Sequence, residues 1–197
     1  MDVYQQAAKA IQEAEAVVIG TGAGMSVDSG LPDFRGSEGF WQAYPPYREL
    51  GLDFMSLANS KWFVEDPALA WGFYGHRTLM YRKTKPHEGY HILAELDKPK
   101  LVVTSNVDGA WEKVGVKNIH EVHGNIHFMQ QMNPCSNIVR NNRRIVVDER
   151  TMRCEDYPMD HDGNTLRPNV LMLVDHSFSF NRELIQATDR NEWISNH

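Results

Sequence analysis

The sequence predicts an α/β fold, a doubly wound parallel sheet with a small helical or peripheral module. Four apolar residues near the N-terminus recur at the spacing of one helical face: Val3, Ala7, Ile11 and Ala14. The apolar run 16–19 that follows is typical of a strand buried on both faces. The strand ends in a turn with three glycines: Gly20, Gly22 and Gly24. A helix, a buried strand and a glycine turn, in this order, are typical of the beginning of such a sheet.

Further along the chain, predicted helices and strands alternate. Helices are predicted over residues 67–83, 86–96, 108–114 and 182–193, and strands over 101–103, 118–122 and 170–174. The segment 31–50, rich in aromatic residues, proline and glycine, is interpreted as a long functional loop. Between residues 129 and 167 the apolar periodicity disappears, which indicates an inserted or peripheral module and not sheet.

The composition excludes several classes of protein. Of 197 residues, 26 are acidic and 20 are basic, so a formal charge of −6 argues against nucleic-acid and membrane-surface partners. The longest apolar runs are far shorter than the roughly 20 residues of a membrane-spanning helix. The sequence has two cysteines, too few for a disulfide framework, and its first residues lack the basic and apolar stretches of a secretion signal. It therefore predicts a cytoplasmic location.

The glycine turn predicts a phosphate site. Without Cβ atoms, the backbone can bring N–H groups against a diphosphate at the positive end of a helix. The dinucleotide pattern G-x-G-x-x-G is not matched, because the sixth position from Gly20 is Met25. A tight connection between strand and helix remains the alternative explanation of this turn.

The stretch that follows is more specific. Residues 22–36 resemble the signature of the sirtuins, a family of NAD-dependent protein deacylases. Three later segments resemble further sirtuin motifs in the same order: 86–91 (PHEGYH), 104–109 (TSNVDG) and 121–124 (EVHG). Because four motifs agree in order and spacing, the chain is identified as a member of this family, with a sirtuin-like variant of the dinucleotide-binding fold.

The resemblance implies a role for each matched residue. It places the NAD diphosphate at Gly22, Ala23, Gly24 and Ser26. It places the nicotinamide-ribose under a closing loop that contains Asp33, Phe34 and Arg35, and beside Asn106 and Asp108. His123 matches the general base, since imidazole titrates near neutrality. His120 and His127 are interpreted as structural. An alternative or additional role for residues 106–109 is a turn that caps the next helix.

The implied reaction is transfer of an acyl group from a lysine side chain to ADP-ribose, with release of nicotinamide. Tyr74 and Arg77 lie three apart on one predicted helix and resemble the Tyr-x-x-Arg pair of sirtuins that prefer acidic acyl groups such as succinyl. An ordinary amphipathic helix with a surface arginine is the alternative.

The chain also departs from the family. Ser105 replaces a glutamine, and only Cys135 and Cys154 remain of the four cysteines that hold zinc, so we expect no bound metal. Val174 replaces a glycine of the strand that pairs with substrate peptide. The C-terminal strands that hold the adenosine half have no counterpart after residue 175. We therefore expect an incomplete sheet that self-associates through an exposed edge.

The predicted organisation is a single sirtuin-like domain over residues 1–197. It contains a helical small-domain insertion at 37–97 and a degenerate zinc-module-like insertion at 129–167. Three functions stay open: an NAD-dependent lysine deacylase, an NAD hydrolase or ADP-ribosyltransferase, and a non-catalytic remnant of a sirtuin. The four motifs favour the first of these functions.

Overall fold

The computed structural model describes residues 2–32 and 37–197, and for residues 37–39 it describes the backbone alone. In chain order, the elements are α1 (Val3–Glu13), β1 (Val17–Thr21), α2 (Ala23–Val27), α3 (Ser37–Ala43), α4 (Pro45–Glu49), α5 (Phe54–Leu57), α6 (Trp62–Glu65), α7 (Pro67–Lys83), α8 (Glu88–Ala94), β2 (Lys100–Thr104), α9 (Ala110–Lys113), β3 (Ile119–Glu121), β4 (Gly124–Gln131), β5 (Val139–Arg140), β6 (Leu166–Val170) and α10 (Asn181–Asn196). Within the described ranges, no helix has both the length and the apolar character needed to span a bilayer.

Strands β1, β2 and β3 form a parallel sheet in that order. Thr21 at the end of β1 lies beside Thr104 of β2, and Thr104 lies beside Glu121 of β3. The Thr21 hydroxyl donates to the Thr104 hydroxyl at 2.9 Å and joins the ends of the first two strands. Because parallel strands share one carboxyl edge, the segments that follow these three residues meet there.

Helices cover both faces of this sheet. On one face, α8 and α9 contribute Tyr90 and Trp111 to a cluster with Val102 of β2. On the other face, α10 binds β3, where Gln186 accepts the backbone N–H of Glu121 at 3.0 Å. Helices on both faces of a parallel sheet make the fold doubly wound, as the sequence predicts.

The prediction that β1 is buried on both faces is wrong. Val18 is 58% exposed, because α10 binds mainly at β3 and only its C-terminal end, at Trp193 and Ile194, approaches Val18. Helix α1 forms as predicted, yet none of its residues is buried. Periodicity identifies which residues share a helix face, but it does not show that another element covers that face.

The segment 129–167 is not free of sheet, contrary to the prediction. Strands β4, β5 and β6 form an antiparallel sheet with β4 in the centre. Its buried positions include amides that bind each other: Asn169 Nδ2 donates to Gln130 Oε1 at 2.8 Å. Polar residues that satisfy one another inside the sheet remove the apolar alternation that sequence analysis relies on.

The predicted long loop at 31–50 is largely helical in its described part. Helices α3 and α4 and the residue between them bury Phe40, Tyr44 and Tyr47, which contact Phe73 of α7 edge to face. These aromatic residues therefore belong to the main core and not to the long loop that the sequence predicts. Helices α3–α8 all lie within the predicted insertion 37–97. The limits of that insertion and of the module at 129–167 stay predictions.

Candidate functional site

A cavity of about 500 Å³ lies at the carboxyl edge of the parallel sheet. It brings together seven of the residues predicted from the sequence: Ala23, Ser26, Tyr74, Arg77, Asn106, Asp108 and His123. Gly22 and Gly24 flank Ala23 in the backbone and are not among the described residues that line the cavity. Asp33, Phe34 and Arg35 lie outside the described residues.

The glycine turn and the loop after β2 bind each other directly. The Asn106 side-chain N–H donates to the Gly22 carbonyl at 2.9 Å and to the Ser26 hydroxyl at 3.0 Å. A Cβ at Gly22 would lie 3.3 Å from the Ser105 Oγ, so the two segments approach as closely as a glycine permits. Asn106 therefore fixes the shape of the turn at the start of α2.

Ser26 is the centre of a buried polar network. Its hydroxyl donates to Asp108 Oδ2 at 2.5 Å, and the Tyr90 hydroxyl lies 3.0 Å away. Because a serine hydroxyl has one hydrogen, the Tyr90 O–H donates to Ser26. Burial is the main cause that raises the pKa of Tyr90, so its hydroxyl keeps the proton it donates. Tyr90 lies within a recognised motif, but its contact with Ser26 is not visible in the sequence.

Hydrogen bonds with Ala110 and His127 fix the turn that carries Asp108. Asp108 Oδ1 accepts the Ala110 backbone N–H at 2.9 Å, so the predicted helix cap is present. The Asp108 carbonyl accepts the His127 Nε2–H at 2.9 Å. Burial lowers the pKa of His127, which favours this neutral imidazole. Gly109 has φ +70°, and a Cβ there would lie 2.8 Å from His127 Cδ2, so the position requires glycine.

His123 is exposed in the turn between β3 and β4, beside the cavity. Its carbonyl accepts the Leu171 N–H at 3.0 Å. The next residue, Gly124, has φ +79°, and a Cβ there would lie 2.1 Å from the Asn169 carbonyl oxygen. The His-Gly pair thus has a physical reason, because only glycine lets this turn place an imidazole at the cavity.

His120, by contrast, is buried away from the cavity. Its Nδ1 lies 3.0 Å from Arg190 Nη1 and its Nε2 lies 2.6 Å from Glu183 Oε1. Arg190 can only donate, so Nδ1 accepts and the Nε2–H donates to Glu183. These contacts attach α10 to the sheet and agree with the structural role predicted for His120.

The cavity is also lined by a buried arginine that lies among aromatic rings. Arg77 is 7% exposed and lies over Phe73, Tyr74 and Tyr81, 5.2–5.5 Å from their ring centres. Its Nε and Nη2 donate to the Tyr81 hydroxyl at 3.1 and 2.8 Å. Burial raises the pKa of Tyr74 to about 12, although the Arg77 charge opposes this. Tyr81 is not among the site residues predicted from the sequence, although its position four residues after Arg77 places it on the same helix face.

The predicted buried strand 170–174 is wrong except at its first residue. Strand β6 ends at Val170, and Leu173 N–H donates to the Ala58 carbonyl at 2.9 Å. Val174 is 77% exposed and has φ +49°. This left-handed backbone favours glycine, which is the residue that the resemblance implies at this position.

Val174→Gly is expected to raise the free energy of unfolding by about 1 kcal/mol. The left-handed conformation costs an L-residue roughly 1–2 kcal/mol, and the extra freedom of glycine in the unfolded chain offsets part of that gain. Urea unfolding of the variant beside Val146→Gly, an exposed valine without a positive φ, measures the effect. A loss of stability in both variants would contradict the assignment of strain to Val174.

The two cysteines do not fit a zinc site. Cys154 is fully buried in the main core, where burial raises the pKa of its thiol, and Cys135 is exposed. Zinc binds thiolates, and a tetrahedral site needs four ligands. Across residues 2–32 and 37–197, no three histidine, cysteine or carboxylate side chains form a group that could hold a metal ion.

Comparison with known sequences identifies relatives of this chain. The sequence profile of the Sir2 family matches residues 22–193. An NAD-dependent protein deacetylase of Saccharolobus solfataricus is 37% identical over 125 residues, which are 62% of this chain and 47% of that protein. An NAD-dependent protein deacylase of Pyrococcus furiosus is 34% identical over 173 residues, 84% of this chain and 64% of that protein. The chain spans about half to two thirds of the length of these relatives.

Solved structures share the fold. A crystal structure of a Sir2 homologue in complex with NAD has a TM-score of 0.69 at 29% identity, over 88% of this chain and 63% of that one. A mutant Sir2 homologue in complex with ADP-ribose has a TM-score of 0.70 at 27% identity, over 96% of this chain and 70% of that one. These similarities confirm the predicted α/β class and the parallel sheet.

Proposed function

The chain belongs to the Sir2 family, and on that premise we propose that it is an NAD-dependent protein-lysine deacylase. The observation that carries the proposal is that one cavity is lined by His123, Asn106, Asp108 and, beside the glycines of the turn, Ala23. Residues from four segments far apart in sequence meet there, each of the chemical type that the reaction needs. The relatives' printed names, deacetylase and deacylase, agree with this proposal.

The residues at the cavity fit the nicotinamide-ribose half of NAD. When bound, NAD supplies a ribose carbon from which nicotinamide leaves. The start of α2 presents backbone N–H groups for a diphosphate, and Asn106 and Asp108 supply amide and carboxylate groups for the carboxamide and the ribose. We assign Gly22, Ala23, Gly24 and Ser26 to the diphosphate in this proposal. The roles of Asp33, Phe34 and Arg35 stay predictions.

His123 is the proposed general base. Its imidazole is exposed at the mouth of the cavity and is carried by a turn that Gly124 makes possible. An imidazole in this position accepts a proton from a ribose hydroxyl at neutral pH. Bound NAD would supply this hydroxyl oxygen as the acceptor of the acyl group, with the lysine amine as the leaving group, and the chain would contribute orientation and exclusion of competing water.

We also propose that the acyl group carries a carboxylate, as succinyl does. The cavity reaches the guanidinium of Arg77, and the Tyr81 hydroxyl fixes its orientation. The raised pKa keeps the Tyr74 phenol neutral, so its O–H can donate to a carboxylate. A planar guanidinium beside a phenol, both shielded from water, is a suitable receptor for such a group.

Arg77→Met is expected to lower kcat/KM for a succinyl-lysine peptide about tenfold to a hundredfold, with little change for an acetyl-lysine peptide. Methionine keeps much of the volume and removes the charge that binds the acyl carboxylate. Tyr81→Phe is the matched variant, since it retains Arg77 and removes the acceptor that orients it. An unchanged ratio of succinyl to acetyl turnover in Arg77→Met would exclude this role.

One observation favours a second candidate function. Val174, with its left-handed backbone, replaces glycine in the segment that resembles the peptide-binding strand, and cleavage of NAD alone needs no peptide strand. Nicotinamide release with and without an acyl-lysine peptide separates the candidates. Release that requires peptide supports the deacylase, release without peptide supports an NAD hydrolase or ADP-ribosyltransferase, and no release refutes both activities.

Location and assembly stay predictions. The two unpaired cysteines are consistent with the predicted reducing cytoplasm. The edge position of β1 and the exposure of Val18 support the predicted self-association, which size-exclusion chromatography over a range of concentrations measures.

A further inference from the structure

A second concave surface lies behind the turn that carries Asp108. This groove has a volume of about 400 Å³ and is lined by Arg82, Lys113, Arg140, Asn141, Gly109 and His127, among others. Among the described residues of the lining, three side chains are cationic and one is a carboxylate, Glu112, which pairs with Arg140. The groove thus has a local formal charge of +2 in a chain of net charge −6.

The two remaining cations bind backbone carbonyls. Lys113 Nζ donates to the carbonyls of Tyr81, Arg82 and Thr84 at the end of α7. Arg82 donates to the carbonyls of Asn141 and Arg143, which uses two of its five N–H groups. Burial lowers the pKa of both Arg82 and Lys113, although the charge of Asp108 opposes this at Lys113. Positive charge is therefore concentrated around the groove, a setting that an anion stabilises.

Asn141 adds an independent observation. Asn141 is 3% exposed and lines the groove. Its side-chain Oδ1 accepts the Arg143 backbone N–H at 3.2 Å, so the other terminal atom of the amide is the nitrogen, Nδ2. That nitrogen makes no hydrogen bond with any residue that the structure describes. A buried donor without an acceptor costs about 1–3 kcal/mol, and a ligand oxygen that reached it would remove that cost.

We propose that this groove binds a small oxyanion that carries phosphate or carboxylate groups. Arg82 and Arg140 supply charge and N–H donors, Lys113 supplies charge, and Asn141 supplies the amide donor. The groove shares a wall with the cavity, because Gly109 and His127 line the groove while Asp108 lines the cavity. The His127 bond to the Asp108 carbonyl joins the two sites. An anion in the groove therefore contacts the same turn that presents the Asp108 carboxylate.

Isothermal titration with pyrophosphate and with citrate, at low ionic strength and without NAD, tests the proposal. Saturable one-to-one binding is expected, and it weakens as NaCl is added. Binding of pyrophosphate alone identifies a phosphate ligand, binding of citrate alone identifies a carboxylate ligand, and binding of both identifies a general oxyanion site. Absence of heat with both probes overturns the proposal.

Charge variants locate the binding site. Arg140→Gln is expected to weaken binding about fivefold, and Glu112→Gln is expected to strengthen it, because the first removes a cation and the second removes the competing carboxylate. Arg144→Gln is the matched control, since Arg144 is exposed in the same module and does not line the groove among its described residues. Pyrophosphate could also bind at the glycine turn, where the Arg140 and Glu112 variants have no effect. Equal affinities in wild type, Arg140→Gln and Glu112→Gln therefore overturn the proposal, as does equal weakening by Arg144→Gln.

Discussion

Asp175→Asn is expected to lower the free energy of unfolding by about 3–5 kcal/mol. Asp175 and Arg167 form a bidentate ion pair at 2.7 and 2.6 Å, and both side chains are 0% exposed. Arg167 also donates to the Ser177 hydroxyl and to the Val170 carbonyl. Removing the carboxylate charge leaves a guanidinium buried without its counter-charge, which is far more costly than losing a surface pair.

Thermal unfolding followed by circular dichroism measures this loss. For a chain of this length, it corresponds to a decrease in Tm of roughly 6 to 20 °C. Glu155→Gln is the matched control, because it breaks an ion pair with Arg153 in which the Glu155 side chain is 79% exposed. We expect a change of less than about 1 kcal/mol there. Similar losses of unfolding free energy in Asp175→Asn and Glu155→Gln would contradict the claim that burial makes the Asp175–Arg167 pair strongly stabilising.

The same ion pair predicts a dependence on pH. Burial alone raises the pKa of Asp175, but the hydrogen bonds and charge of Arg167 outweigh it and lower the pKa below its ordinary value. The stabilisation is therefore fully present above the unfolded pKa of about 4, and it is lost as pH falls through the lower folded pKa. The difference in stability between wild type and Asp175→Asn should shrink over that acidic range.

His123→Ala is expected to reduce the rate of acyl transfer from the lysine peptide by about 10²- to 10⁴-fold. The imidazole is exposed, so its removal takes away the proposed base and little packing. The free energy of unfolding should consequently stay within about 0.5 kcal/mol of wild type. Liquid chromatography of the deacylated peptide measures the chemical step directly.

His161→Ala is the control for this variant. The His161 side chain is 87% exposed, and the residue is not among those described as lining the cavity. The His161→Ala variant should retain full activity. The activity of a contaminating deacylase would also remain in the His123→Ala preparation. Turnover by His123→Ala within threefold of wild type would contradict the role of His123.

Motifs that depend on backbone geometry were predictable from the sequence. Gly124 and Gly109 occupy positive-φ positions where a Cβ would meet the Asn169 carbonyl oxygen or His127. The glycine beside His123 and the glycine beside Asp108 are therefore visible as short local patterns. The cavity gathers these residues because their strands are parallel and end at one edge. The sequence therefore predicted most of the candidate site together with its fold class.

Contacts between distant segments were not predictable. The Tyr90–Ser26 hydrogen bond joins residues 64 apart, and nothing local indicates it. The exposure of Val18 depends on how far α10 covers that face of β1, which an apolar run does not reveal. The buried amides Gln130 and Asn169 bind each other across two strands, so they read as polar loop residues when each segment is considered alone.

The central claim is that the cavity at the carboxyl edge of the parallel sheet binds NAD. Isothermal titration calorimetry with millimolar NAD, without peptide, tests it most directly. We expect saturable one-to-one binding to the wild-type chain and at least tenfold weaker binding to Asn106→Ala, because Asn106 holds the glycine turn through Gly22 and Ser26. No heat of binding at millimolar NAD, or equal affinity in the two proteins, would contradict the claim.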